Sequence, residues 1–332
     1  MMTARPRIFI TQPVAQSAIE RLKKIAEVDL NPDSVHIPGK DEMLAAVRTH
    51  DILFCLLHDR VDGEVIAANP GLRMIASMKI TPSDIDVAAA TERRIPITVI
   101  PPIVTEATAD IHFALLLAVA RRLVEGDKLV RAGVFPGAQS SHLEGAGVSG
   151  KVIGLVGGGG RIGKAVARRA QGFSMRTLYW TPRRKPEAEE RAAGIEYVPM
   201  DQLLAESDFV SIHAPLNPQT RHLIGERELR LMKPTAYIIN TARGPIIDEA
   251  ALVRVLAEGR IAGAGLDVFE HEPKVDPALL AMPNVVLTPH LGSAVRELRE
   301  GMAHVVVDNI LAFLEGRQPP NCWNTEIYAA SK

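Results

Sequence analysis

The sequence predicts an α/β protein built from two doubly wound parallel-sheet domains with a cleft between them. Three observations carry this. Short Val/Ile/Leu-rich runs alternate with amphipathic stretches along the chain, the pattern of strands buried on both faces and crossed by helices. Midway, one such run ends at Gly157-Gly158-Gly159-Gly160 and an amphipathic stretch starts directly after it. The 332 residues exceed one typical core and suit two.

In order, residues 7–10 read as a strand, 15–25 as a helix, and 51–57, 73–77 and 96–100 as further strands. Pro101-Pro102 interrupts the pattern, and a long helix runs over about 106–122 with Thr105 as its N-cap. The alternation resumes with a strand ending at the glycine cluster and a helical stretch over 164–170. Further strands follow at 176–180, 208–213, 236–240, 263–267 and 285–288, and a last helix at about 295–315. Ligands of such folds collect at the C-terminal ends of strands and between domains.

Composition narrows the class. Apolar residues make up 47% of the chain and charged residues 23%, with net charge −1, so no electrostatic case exists for nucleic acid or an anionic membrane. Cys55 and Cys322 are the only cysteines, too few for a disulfide framework or a cysteine metal cluster; no metal is expected, and a reducing compartment fits. The chain enters a strand almost at once, without a signal-peptide core, and the apolar run 111–120 is too short to span a bilayer. A cytoplasmic protein is expected.

Gly158, Gly160 and Gly163 fit the G-x-G-x-x-G spacing, with Arg161 and Ile162 inside it. The first glycine allows the turn, the second lets backbone approach a pyrophosphate, and the third lets helix and strand pack closely, which gives a Rossmann-like dinucleotide site. Four consecutive glycines leave the phase of the turn open by a residue. The acid expected about 20 residues further on, which would hold the ribose hydroxyls, is absent. Thr181 stands in its place, followed by Arg183, Arg184 and Lys185. A hydroxyl and forked guanidinium donors suit a 2′-phosphate, hence NADP(H) in preference to NAD(H), with NAD(H) still usable. A solvated basic loop is the competing reading.

Three polar side chains follow strands of the second half: Arg243, Glu272 and His290. Hydride transfer to a 2-oxo acid needs a cation on the carboxylate and carbonyl, an acid for the new alkoxide, and a carboxylate that orients the acid. These residues are one of each. His271, beside Glu272, is an alternative histidine.

The segments 104–110, 158–163, 207–215, 240–244, 265–273 and 288–293 resemble, in order, the D-isomer-specific 2-hydroxyacid dehydrogenase family, and most closely its NADP-preferring glyoxylate/hydroxypyruvate reductases. The resemblance implies catalytic roles for Arg243, Glu272 and His290. It implies that Asp267 meets the nicotinamide carboxamide, and that Thr108, Ala214, Pro215, Thr241, Ala242 and Gly292 lie along the cofactor. It implies a discontinuous substrate domain, 1–104 plus 294–332, a cofactor domain, 105–293, and a homodimer formed through the latter.

Two departures stand out. One glycine more than usual precedes Arg161. The loop that in the family offers amides to the substrate carboxylate reads 78–86, Met-Lys-Ile-Thr-Pro-Ser-Asp-Ile-Asp, without the usual glycine and with a proline that lacks a donor. Lys79 and Ile80 are its candidate substrate contacts, and Lys79 either supplies charge or points to solvent. A lysine in this loop and Ser293-Ala294-Val295-Arg296 also resemble phosphite dehydrogenase, a second candidate activity. A corepressor-like nucleotide-sensing scaffold is the non-enzymatic rival, and it would call for regulatory tails that this sequence lacks beyond its last helix.

Overall fold

Each run read as a strand forms a parallel strand in the computed structural model, which describes residues 5–329. The chain divides into two compact units, one of residues up to Ile103 and from Val295 onward, the other of Val104–Ala294. In the first, β1 (Arg7–Ile10), α1 (Gln16–Lys23), β2 (Glu27–Leu30), α2 (Lys40–Val47), β3 (Ile52–Cys55), α3 (Gly63–Ala67), β4 (Met74–Ser77), α4 (Val87–Glu92) and β5 (Ile97–Thr98) follow one another. Their sheet runs β2-β1-β3-β4-β5, all parallel. β3 and β4 are buried at every residue, as expected of central strands covered on both faces. β2 is an exposed edge strand whose residues, Glu-Val-Asp-Leu, did not read as one in the sequence.

The second unit opens with α5 (Thr105–Ala120) and α6 (Leu123–Arg131). Val104, not Thr105, occupies the N-cap of α5: Thr105 already has a helical backbone, and no side chain caps this end. Then come β6 (Val152–Val156), α7 (Arg161–Gly172), β7 (Arg176–Trp180), α8 (Glu187–Ala193), β8 (Glu196–Tyr197), α9 (Met200–Glu206), β9 (Phe209–Ile212) and α10 (Glu226–Leu231). β10 (Tyr237–Asn240), a 3-10 turn at Gly244–Ile246, α11 (Glu249–Ala257), β11 (Gly263–Leu266), α12 (Pro277–Ala281) and β12 (Val285–Leu287) complete it. The chain returns to the first unit with α13 (Arg296–Leu314).

The second sheet is ordered β12-β11-β10-β9-β6-β7-β8. Successive side chains of a strand alternate between faces, and the core divides accordingly. Ile153 and Leu155 of β6 pack with Leu116 and Val166, whereas Val156 packs with Leu203, Leu229 and Leu252. The strand order reverses between β6 and β9, so the loops leaving these two strands diverge and leave room for a ligand between them.

Candidate active site

At this switch point the four glycines take distinct jobs. Gly157 holds the left-handed backbone, φ +83°, and its missing Cβ would lie 2.5 Å from the Ala214 nitrogen. The turn that the sequence assigns to Gly158 therefore belongs to Gly157, which settles the phase of the loop. Gly158 and Gly163 serve close packing: a Cβ on Gly163 would strike the Gly158 backbone, and one on Gly158 would strike Leu155. Gly160 faces open space: a Cβ there would have the Gly157 carbonyl, at 3.6 Å, as its nearest neighbour. It is the N-cap of α7, which starts at Arg161, earlier than the expected 164, and has no side-chain cap. An uncapped end of a twelve-residue helix, with only a glycine in front of it, presents its N–H groups to an anion. Ile162 is half-buried and Arg161 exposed. These features fit the pyrophosphate of a dinucleotide. So does Thr241, whose Oγ1 is buried without a hydrogen-bond partner among the described residues.

The basic loop after β7 is more ordered than a solvated run. Thr181 Oγ1 donates to the Arg183 carbonyl at 2.7 Å. Arg184 spends its fork on Glu190, Nε at 2.8 Å and Nη2 at 2.7 Å, and stacks on Tyr197. Two of its donors are thus spent on Glu190, contrary to the expectation that the whole fork awaits a phosphate. Arg183 is exposed. Lys185, which sequence reasoning did not single out, lays its stem over the glycine loop: a Cβ on Gly159 would be 2.8 Å from Lys185 Cε.

Arg243, Glu272 and His290 follow β10, β11 and β12, three adjacent strands in register. His290 Nδ1 lies 2.9 Å from Glu272 Oε2, while Glu272 Oε1 accepts the Phe269 N–H at 3.0 Å. A carboxylate only accepts, so Nδ1 carries the hydrogen and Nε2 is the atom turned to other chemistry. Glu272 pairs with His290; His271 is exposed, and its carbonyl closes a turn to Lys274. Arg243 is exposed and gives one N–H to the Ala242 carbonyl at 2.6 Å.

Asp267 is wholly buried. Its carboxylate accepts from Thr288 Oγ1 at 2.6 Å, Leu291 N–H at 2.6 Å and Gly292 N–H at 2.9 Å, so it ties down the loop that carries His290. Burial pushes the carboxyl above its ordinary range against these bonds. The three bonds occupy the carboxylate that the resemblance assigns to a carboxamide. Thr108 Oγ1 is shared between the Val104 and Gly292 carbonyls, at 2.9 and 3.2 Å. Ala242 N–H donates to Asn240, Ala214 is buried against the glycine turn, and Pro215 is exposed.

In the first unit Lys79 is 3% exposed. Its Nζ donates to the Asp59 carbonyl at 2.9 Å and to Asp84 Oδ2 at 2.8 Å. Neither expected alternative holds: the ammonium braces the 78–86 loop from inside, because a buried charge must spend its donors. Ile80, beside it, is half-buried.

A polar chain also escaped the sequence reading. Ser211 Oγ lies 2.5 Å from His112 Nε2 and 2.7 Å from His213 Nε2. Desolvation holds His112 well below its ordinary range and His213 at about 3. The one available signal was a histidine inside the apolar α5 run.

A doubly wound sheet, an uncapped glycine-fronted helix, and a carboxylate-oriented histidine and an arginine that follow neighbouring strands define a dinucleotide-dependent oxidoreductase. Residues 113–292 match the model of the D-isomer specific 2-hydroxyacid dehydrogenase NAD binding domain. A glyoxylate reductase of Thermococcus litoralis is 47% identical over 98% of this chain and 99% of its own. Among solved structures, a Thermus thermophilus protein superposes with TM-score 0.88 at 42% identity, over 95% of this chain and 99% of its own. An NADPH-dependent glyoxylate/hydroxypyruvate reductase of Sinorhizobium meliloti, in complex with NADP and malonate, gives TM-score 0.78 at 31% identity, over 96% and 97%. The chain belongs to the D-isomer specific 2-hydroxyacid dehydrogenase family; it is an enzyme with a nicotinamide cofactor and a small-molecule substrate. Among the described residues no helix is long and apolar enough to cross a membrane.

Proposed function

We propose that the protein is a cytoplasmic, NADP(H)-preferring reductase of short 2-oxo acids, glyoxylate or hydroxypyruvate. Its second unit would hold the dinucleotide and its first unit would contribute to substrate binding. The observation that carries the reading is the 2.9 Å bond between His290 Nδ1 and Glu272, on a rim shared with Arg243. A nicotinamide held there would supply the hydride that reduces the carbonyl. Arg243 holds the substrate carboxylate and polarises the carbonyl through its forked donors. His290 delivers the proton to the new alkoxide from Nε2. Glu272 fixes the ring and its tautomer, which leaves Nε2 as the atom for proton delivery.

Gly157, Gly160 and the start of α7 would hold the pyrophosphate, with Thr108, Ala214, Pro215, Thr241, Ala242 and Gly292 along the rest of the cofactor. NADP(H) preference rests on the absent acid after β7, on exposed Arg183, and on Lys185 over the glycine loop. Arg184 would shape that loop through Glu190 rather than touch a phosphate. The Sinorhizobium meliloti relative, described as NADPH-dependent, supports the choice.

We also infer a homodimer. α6 buries none of its residues within its own unit, and Leu123, Val130, Val134 and Phe135 of this helix and the segment after it are exposed. An apolar surface of this kind calls for cover, and a second copy supplies it.

Initial rates with NADPH and NADH against glyoxylate, hydroxypyruvate, pyruvate and phosphite test the reading. The expected result is reduction of the two-carbon or hydroxylated oxo acid with NADPH preferred. Turnover of phosphite alone would replace it.

A further inference from the structure

Behind the rim, three loops are locked to one another by groups that touch neither proposed ligand. Glu270 lies two residues before Glu272, and its side chain is 8% exposed. Its Oε1 accepts from Arg221 Nη2 at 2.8 Å and pairs with His222 Nε2 at 2.7 Å, both in the loop between β9 and α10. Its Oε2 accepts the Glu249 N–H at 3.3 Å, and its own N–H donates to Glu249 Oε2 at 2.9 Å. Glu249 is the first residue of α11, just beyond Arg243. His222, in left-handed backbone at φ 52°, gives its N–H to the Pro245 carbonyl at 2.8 Å. The contacts close a ring: His222 to Pro245, along the chain to Glu249, across to Glu270, and back to His222.

The ring fastens the arginine loop against the glutamate loop at close quarters. Gly244, next to Arg243, has its Cα against the Phe269–Glu270 peptide, so that a Cβ there would overlap Phe269. Phe269 N–H is in turn the donor that holds Glu272 Oε1. Two carboxylates this close repel one another, and the cation of Arg221, together with the two reciprocal backbone N–H donors, compensates for it.

We propose that Glu270 and His222 are positioning residues that set the spacing between Arg243 and the Glu272–His290 pair. This rests on the roles assigned above to Arg243, Glu272 and His290. A substrate gripped at its carboxylate by one loop and protonated from another reacts only if the loops keep register. Misplacement of about 1 Å can cost about 10²-fold in rate. The pyrophosphate and 2′-phosphate contacts assigned above lie in the loops after β6 and β7, outside the ring, so dinucleotide affinity should depend on the ring far less than turnover does.

The test compares Glu270→Ala, His222→Ala, His222→Asn and Arg243→Ala in the full chain. Readouts are kcat and KM for glyoxylate, and the NADPH dissociation constant from nicotinamide fluorescence. Glu270→Ala should lower kcat by about 10- to 100-fold and raise KM, with NADPH affinity held within about twofold. His222→Ala should do the same more mildly, and His222→Asn, which keeps a side-chain donor, should recover part of the loss. If Arg243→Ala is inactive while Glu270→Ala and His222→Ala keep wild-type kcat and KM, the ring has no positioning role. Loss of NADPH affinity in step with kcat would also overturn it, since that marks general disruption. Full activity in Arg243→Ala would instead sink the assignment of the site. Should Glu270→Ala not fold, the two His222 variants decide.

Discussion

Glu272 and His290 are joined at 2.9 Å through Nδ1, and the histidine is held in left-handed backbone, φ 56°, while making that bond. Left-handed backbone at a residue with a Cβ is costly and persists only where the surroundings enforce it. Here they do: His290 N–H donates to the Asp267 carbonyl, and the Asp267 carboxylate grips the next two N–H groups. The ring is thus aimed by its own backbone and by Glu272 together.

This arrangement predicts different outcomes for two variants. His290→Asn should lower turnover by about 10²- to 10⁴-fold with coenzyme affinity nearly intact, as removal of a general acid does. Glu272→Gln has a single acceptor oxygen for two donors, Phe269 N–H and His290 Nδ1–H, and cannot hold both. Its kcat for reduction should fall by about tenfold or more with coenzyme affinity nearly intact. An unchanged kcat would show that the carboxylate does not orient the ring.

Coenzyme choice gives a second prediction. Arg183→Ala and Lys185→Ala should each raise the KM for NADPH by about tenfold or more, the cost of losing a hydrogen bond to a charged group, and leave that for NADH little changed. Arg184→Ala removes the clasp on Glu190 and should disturb both coenzymes alike. Steady-state kinetics with both coenzymes measure this. An NADH preference in the wild-type enzyme would refute the assignment outright.

What the sequence revealed and what it hid have physical reasons. Val152–Val156 and Phe209–Ile212 were legible because central parallel strands are apolar on both faces. That Arg243, Glu272 and His290 follow three strands was legible because polar groups after such apolar runs stand out; the resemblance alone set these three apart from other such groups. β2 and the two-residue β8 were not, since edge strands carry exposed, charged residues. Four identical glycines cannot say which one takes positive φ; only the neighbouring Ala214 backbone decides it. Nor can the composition of a basic loop say that Arg184 is claimed by a glutamate six residues on, or that Lys79 turns inward to Asp84.

The exposed apolar residues of α6 and the segment after it predict the state in solution. Val130 and Phe135 are 58% and 80% exposed within one copy. Val130→Asp with Phe135→Asp places two charges where a second copy would cover them, at a cost of several kcal/mol if they are desolvated. Light scattering coupled to size exclusion should give twice 36.0 kDa for the wild type and 36.0 kDa for the double variant. A wild-type mass of 36.0 kDa would leave the surface without that partner.

The histidine pair should make the second unit acid-sensitive before its carboxylates titrate. Ser211 has one hydroxyl proton, so it donates to one Nε2 and accepts from the other, and at least one ring must be neutral. Burial keeps both rings neutral, His213 down to about 3. In the unfolded chain each titrates near 6.5. Below that pH the unfolded state takes up protons that the folded state refuses, so stability is full above about 6.5 and falls as the pH drops toward 3. At pH 5 the loss for His213 is about 2 kcal/mol, worth several degrees in melting temperature. His112→Leu removes one of the two groups while leaving Ser211 bonded to His213. Thermal melts from pH 7 to pH 5 should therefore show a smaller drop for His112→Leu than for the wild type, and equal slopes would mean that buried His112 does not resist protonation.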